Sequence, residues 1–277
     1  MVDLSGGKRV EKCLASQARD YAIDHRAVLP EHGAEVIEVD GAGGGFAVWG
    51  SKRGAPNVSR AFALGIDGEV KASELARVEG FYARHGVPTR VVTSPWTHAS
   101  LFELLAARGF RVVEHENILT RAIEGADAAR RPAHAGVTVA RVEPSPAAVL
   151  AWGRIVRVGF DMDADDERFV LADRVFERST SATLYLGSVD GAPAGGSALD
   201  LRDGVATLFA TSTLPAFRRR GVHGALIAAR LGHALEQGAE LAVVITSPGS
   251  DSQRNLETSY GFRVGYTSAI FESHKPA

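Results

Sequence analysis

The chain has 277 residues, 45% hydrophobic and 23% charged, and a formal net charge of −2; this balance is ordinary for a globular protein and gives no overall field for nucleic acid or anionic lipid. Cys13 is the only cysteine, which excludes an internal disulfide and a cysteine-rich zinc site. No apolar run approaches the about 20 residues of a membrane span. The early charges Lys8, Arg9, Glu11 and Lys12 are not followed by the apolar block of a secretory signal, so the expected location is the cytoplasm.

In chain order, residues 11–29 have helical spacing, and candidate strands follow at 34–39, 45–49 and 59–66. A helix over 73–85 stops at Gly86, then come a strand at 89–93, a helix at 98–108 and a strand at 111–122. Residues 124–136, rich in Ala, Arg and Pro, read as a linker. Beyond it lie a strand at 137–142, helical stretches at 146–158 and 166–178, and strands at 182–189, 194–201 and 205–214. Asp190-Gly191 and Asp203-Gly204 join those last three strands, and Asp-Gly is a strong hairpin signal because both central residues of a type I′ turn need positive φ. A helix at 225–237, a strand at 241–246, a further helix and a strand at 263–271 complete the chain.

The pattern is written twice. Thr93-Ser94-Pro95 recurs as Thr246-Ser247-Pro248, and Gly109-Phe110-Arg111-Val112 recurs as Gly261-Phe262-Arg263-Val264, at spacings that agree to within one residue. Matched helix–strand contexts surround both words, which points to a duplicated α+β unit.

The copies differ where chemistry would sit. In the second, Arg218-Arg219-Arg220-Gly221-Val222-His223-Gly224 joins a strand to a helix. The first N–H groups of a helix have no partner within it, and the helix dipole adds positive character, so this order builds a cradle for phosphate. Solvated surface is the alternative role for such a basic triplet. The corresponding loop of the first copy reads Asp67-Gly68-Glu69-Val70-Lys71, where two carboxylates would repel phosphate.

The segment from Thr211 to Gly224 resembles the acetyl-CoA loop of the GCN5-related N-acetyltransferases (GNAT), whose signature is Arg/Gln-x-x-Gly-x-Gly/Ala. Arg218 and Gly221 match its first and fourth places, whereas His223 stands where a small residue is usual, and Gly261-Phe262 resembles the family's ending. The resemblance covers residues 137–271, and the first half is similar to a degenerate copy. It implies that amides of Arg219, Arg220, Gly221, Val222, His223 and Gly224, with Arg218, hold the coenzyme diphosphate. It further implies that Ser212 and Thr213 pair with the pantetheine arm like an added strand, and that Asn255 touches the same arm. The implied reaction is acetyl transfer from acetyl-CoA to an amine by direct attack, with an amide near Thr213 polarising the carbonyl.

Two departures bear on catalysis. Glu257 occupies the place of the family's frequent tyrosine, which leaves Tyr260 as the nearest phenol for protonating the thiolate, or as a residue packed beside the glycine turn. Thr207 sits near the place of the family's frequent glutamate base. His223 is either electrostatic support for phosphate or an ordinary loop histidine. The acidic cluster Asp161, Asp163, Asp165, Asp166 and Glu167 fails the calcium-loop pattern, with Asp166 at the sixth place and Ala172 at the twelfth. It reads as a solvated helix start or as an attractor for a cationic amine. Gly41-Ala42-Gly43-Gly44-Gly45-Phe46 begins like a dinucleotide fingerprint but runs on as strand, so it reads as a hairpin turn. The nine histidines show no metal spacing.

The expectation is therefore an α+β protein of two tandem GNAT-like domains, each a mixed, mostly antiparallel sheet flanked by helices. Residues 1–123 form a copy without a cofactor loop, 124–136 the linker, and 137–277 the acetyl-CoA-binding copy. The expected partners are acetyl-CoA as co-substrate and a small-molecule or peptide amine, without metal, nucleic acid or membrane; a homodimer is left open. A non-catalytic acyl-CoA binder is the alternative, and a nucleotide oxidoreductase using the Gly41 region a more distant one.

Overall fold

The computed structural model describes residues 4–50, 58–129 and 135–274. The chain forms two compact units: Met1–Thr120 together with Ile245–Ala277, and Arg121–Val244.

The first unit opens with helix α1 (Leu4–Val28), which starts well before residue 11. Strands β1 (Glu35–Glu38) and β2 (Phe46–Trp49) form an antiparallel hairpin, so Gly41 to Gly45 lie in its connection, as expected. Strand β3 is only Ala61–Phe62, shorter than the expected 59–66. The cause is local: Ala63 (φ 56°) and Gly65 (φ 81°) adopt the left-handed conformation, which no strand accommodates. Helix α2 (Ala72–Arg84), strand β4 (Arg90–Thr93), helix α3 (Ala99–Ala107) and strand β5 (Arg111–Ala122) follow. Leu75, Val78, Phe81 and Tyr82 recur at helical spacing on α2, and Leu101 and Leu105 do so on α3; both faces close over Trp49 and Val91. Each such side chain, fully buried, contributes about 1.5–3 kcal/mol.

Helix α7 (Asp251–Tyr260) and strand β11 (Arg263–Glu272) also belong to this unit. Strand β11 lies between β4 and β5 and is antiparallel to both, giving the order β1-β2-β3-β4-β11-β5. The sequence repeat assigns the last helix and strand to the second copy, whereas the ladder pairs of β11 from Arg263↔Thr120 to Glu272↔Arg111 tie them to the first unit.

Early in the second unit, Gly125–Ala129 forms a short 3-10 helix within the segment read as a linker. Buried Asp127 accepts from Arg121 Nη2 at 2.7 Å and from Glu124 N at 3.0 Å, which fixes this segment; residues 130–134 lie outside the described residues. Strand β6 (Val137–Arg141) leads to helix α4 (Pro146–Gly159), whose start carries an N-cap bond from Ala148 N to Ser145 Oγ at 3.3 Å. Helix α5 (Glu167–Asp173) precedes a meander of β7 (Ala182–Val189), β8 (Ala192–Arg202) and β9 (Val205–Thr213). Both predicted hairpin turns form with positive φ at each central residue: Asp190 50°, Gly191 80°, Asp203 45° and Gly204 73°. Helix α6 (Val222–Glu236) and strand β10 (Leu241–Thr246) follow, and β10 runs parallel to β9. The strand order is β10-β9-β8-β7-β6.

Helices cover both faces of this sheet. A Cβ at Gly195 would meet Val222 of α6, and one at Gly196 would meet Trp152 and Val156 of α4. Successive strand residues point to opposite faces, so α6 and α4 lie on opposite sides. Both units thus have the expected α+β form, with mixed, mostly antiparallel sheets.

Candidate cofactor site

The site begins where β9 leaves β10. Their parallel ladder holds only Val205↔Leu241, Ala206↔Ala242 and Thr207↔Val243, whereas the ladder of β9 with β8 continues to Gly195↔Thr213. Residues 208–213 therefore take no ladder partner from β10. Between Ala198↔Phe209 and Gly196↔Ser212, β9 advances three residues while β8 advances two. Ala210, at φ 50°, absorbs the extra residue. Such a bulge bends its strand and increases the local twist, which accounts for the parting.

After Thr213 the chain makes one 3-10 turn, Pro215–Phe217, and then Arg219 (φ 63°) and Gly221 (φ 82°) are left-handed. Gly221 is the N-cap residue of α6, and Ala225 N donates to its carbonyl at 3.0 Å as the first bond of the helix. The amides of Val222, His223 and Gly224 precede that bond and have no helical acceptor. The first turn of α6 contains no acidic residue. These are the elements of an anion seat: a left-handed turn and a helix N-terminus whose own first turn carries no carboxylate.

The three arginines are not equivalent. Arg218 Nη2 reaches both carboxylate oxygens of Asp161, at 3.0 and 3.1 Å, and the carbonyl of Gly159 at 3.2 Å. Arg220 Nη2 donates to Asp190 at 3.2 Å, with its guanidinium 5.6 Å from the ring centre of Phe217. Among the described residues Arg219 forms no ion pair, and it is exposed. Sequence reasoning could not see these partners, which are 57 and 30 positions away. Both pairs are substantially exposed, so each is worth at most about 1 kcal/mol and yields readily to a stronger anion.

Burial, with the Arg230 cation as a smaller contribution, lowers His223 to about 4. It is therefore neutral near pH 7, and its ring brings no positive charge to the loop. Among the described residues the buried hydroxyls of Ser212 and Thr213 have no hydrogen-bond partner. Ser212 Oγ lies on the α4 face, where a Cβ on Gly159 would come within 2.4 Å of it. Thr207 is buried opposite Asp200, whose carboxylate is held by Ser181 Oγ at 2.7 Å and Arg202 Nε at 2.6 Å. Asn255 and Tyr260 are on α7, in the other unit, with Tyr260 at the last helical position before left-handed Gly261.

The acidic cluster is largely tied to arginines and to its own backbone. Asp161 pairs with Arg218, Asp166 with Arg168 at 2.6 Å and Asp165 with Arg154 at 3.6 Å, while Asp163 accepts from Asp165 N at 3.0 Å. Among the described residues no group of three His, Cys, Asp or Glu could hold a metal ion. No helix among them is long and apolar enough to cross a membrane.

The first copy shows the contrast. The N-terminus of α2 is occupied from within, because Glu74 Oε2 accepts from Lys71 N at 2.7 Å. The glycine-rich connection lies against the same region: a Cβ on Gly41 would strike the Glu74 carboxylate, and one on Gly68 would meet the Ala42 carbonyl at 3.0 Å. A phosphate there would face a carboxylate and a filled space.

No protein-family model matches the sequence, and no curated protein does. Solved structures do match. A GCN5-related N-acetyltransferase from Kribbella flavida aligns over 92% of this chain and 95% of its own, with 21% identity and a TM-score of 0.63. A tandem GNAT protein from the clavulanic acid biosynthesis pathway, solved without AcCoA, aligns over 93% and 88%, with 14% identity and a TM-score of 0.65. FemX aligns over 91% and 90%, with 11% identity and a TM-score of 0.55. The chain has the GNAT fold in a tandem arrangement.

Proposed function

We propose that residues 121–244 bind acetyl-CoA and that the protein transfers its acetyl group to a primary amine of a small molecule or peptide. The observation that carries this reading is the conjunction at β9: an open strand edge leads within a few residues to a left-handed glycine and a helix whose first turn has no acidic residue. A diphosphate fits the amides of residues 219–224, with Arg219 beside it and Arg218 and Arg220 able to exchange Asp161 and Asp190 for phosphate oxygens. The open edge over residues 211–213 fits the amide-bearing arm as an added strand.

In the transfer, the amine lone pair forms the new C–N bond and the C–S bond breaks. The thiolate gains a proton, and the attacking nitrogen loses one. The N–H groups near Thr213 stabilise the oxygen that becomes negative along the way. A fixed acid or base at Glu257 or Thr207 is not required if the amine arrives neutral and water exchanges the protons.

Calorimetry with acetyl-CoA, followed by thiol release across an amine panel, tests the reading. Binding with turnover on at least one amine supports it, and absence of binding ends it. Thr207 in place of a glutamate favours the second reading, a non-catalytic acyl-CoA binder, which predicts binding without release across the panel.

A further inference from the structure

Beneath the β9 bulge lies a side chain that the transfer chemistry has not used. Arg230, on the third turn of α6, is 1% exposed. Among the described residues it forms no ion pair with a carboxylate. Its Nη1 donates to the Ala198 carbonyl at 3.0 Å and to the Phe209 carbonyl at 3.4 Å, and its Nε donates to Leu226 O at 3.0 Å. Ala198 and Phe209 are the register pair on one side of the bulge. From the opposite face, Trp152 of α4 donates its indole N–H to the carbonyl of Ser197 at 3.2 Å. Ser197 is the single β8 residue set against two β9 positions, 210 and 211, at the bulge.

A guanidinium buried without a counter-charge is costly, and an apolar side chain would fill the same slot without that cost. Burial draws Arg230 down to about 9, which leaves it charged near pH 7. Packing alone therefore does not account for an arginine here, whereas two carbonyls flanking an interrupted ladder do need a donor. We propose that Arg230 is a positioning residue: with Trp152 it clamps the bulge from both faces, fixing the divergence of β9 and the aim of the amides of residues 211–213. This inference rests on the acetyl-CoA reading for its purpose, though not for the clamp itself.

The test uses the full chain with Arg230→Met, which keeps the stem and removes the donors, and Arg230→Lys, which returns one cationic head. Hydrogen exchange of residues 208–213 without ligand should quicken at least tenfold in the Met variant and recover partly in the Lys variant. Acetyl-CoA should bind at least tenfold more weakly to the Met variant. ADP, which has the diphosphate but no pantetheine, should change less than twofold. Unchanged exchange, or equal losses for ADP and acetyl-CoA, overturns the proposal, because a general collapse would move both ligands together. If the Met variant fails to fold, Trp152→Phe, which keeps an aromatic ring but loses the indole donor and part of its volume, serves the same comparison of exchange and of acetyl-CoA against ADP. A wild-type chain that ignores acetyl-CoA refutes the functional reading, while the exchange arm still decides the clamp.

Discussion

Replacing Gly221 separates charge from shape at the anion seat. Gly221 is the N-cap residue of α6 at φ 82°, ψ 0°. Asn and Asp are the side chains that tolerate this conformation best, and both are good N-caps. Gly221→Asn and Gly221→Asp therefore share a backbone and a shape but differ by one charge. Without ligand, Gly221→Asp should unfold no earlier than Gly221→Asn, because a carboxylate at a helix N-terminus gains about 0.3–1 kcal/mol. With ligand the order reverses. A carboxylate about 5 Å from a diphosphate charge costs about 3 kcal/mol at an effective dielectric of about 20, and solvent at this half-open loop reduces that to about 1.5–3 kcal/mol. The affinity of Gly221→Asp for acetyl-CoA should thus fall about 10- to 150-fold below that of Gly221→Asn, measured by calorimetry. The gap should narrow as salt rises from about 0.1 M to 1 M, where the Debye length shrinks from about 10 Å to 3 Å. Equal affinities for the two variants, or a gap indifferent to salt, would refute the placement of the diphosphate at this helix.

Three further outcomes follow from the structure. Asp161→Asn frees Arg218 from its carboxylate; since this exposed pair is worth at most about 1 kcal/mol, acetyl-CoA affinity should rise about two- to fivefold, and a fall would show that Asp161 assists the ligand. Glu11, buried on α1 and bonded by the Tyr266 hydroxyl, is raised by burial from 4.5 to about 7. A raised carboxyl favours its neutral form in the folded state, so its contribution is full below about pH 4.5 and is lost as pH climbs through 7. Glu11→Gln should therefore match wild type in thermal unfolding near pH 4.5 and exceed it at pH 8 by up to about 3 kcal/mol; parallel curves would disprove the shift. Deleting residues 261–277 removes buried Phe262, Tyr266 and Ile270, each worth about 1.5–3 kcal/mol against a typical net stability of 5–15 kcal/mol. The near-ultraviolet signal of Trp49 and Trp96, at the opposite end of the chain, should collapse, and its survival would refute the unit assignment.

The parts legible in the sequence were those fixed by neighbours along the chain. Asp190-Gly191 and Asp203-Gly204 announced their hairpins because the turn chemistry resides in the pair itself. Gly221 announced the loop because a residue before a helix start can be left-handed only at a cost that glycine avoids. Features set by distant partners were hidden. Strand β11 reads as a strand whichever sheet receives it, so its insertion between β4 and β5 left no local mark. Nothing around Arg218 points to Asp161, and the reach of β3 depended on Ala63, an unremarkable residue in an uncommon conformation. One hidden feature did carry a signal. Arg230 stands between Ile227 and Ala234 at helical spacing, so a charge on the buried stripe of α6 was visible in the sequence before its acceptors were known.

The interleaving of the last strand constrains how such a protein can be inherited. A gene cut at the repeat boundary would encode a leading product lacking a strand from the middle of its sheet and a trailing product carrying one it does not keep. Fission into two independent genes would therefore have to rebuild a strand rather than merely open a linker. With its last strand seated in the first unit, the chain ties its two units to a common fate.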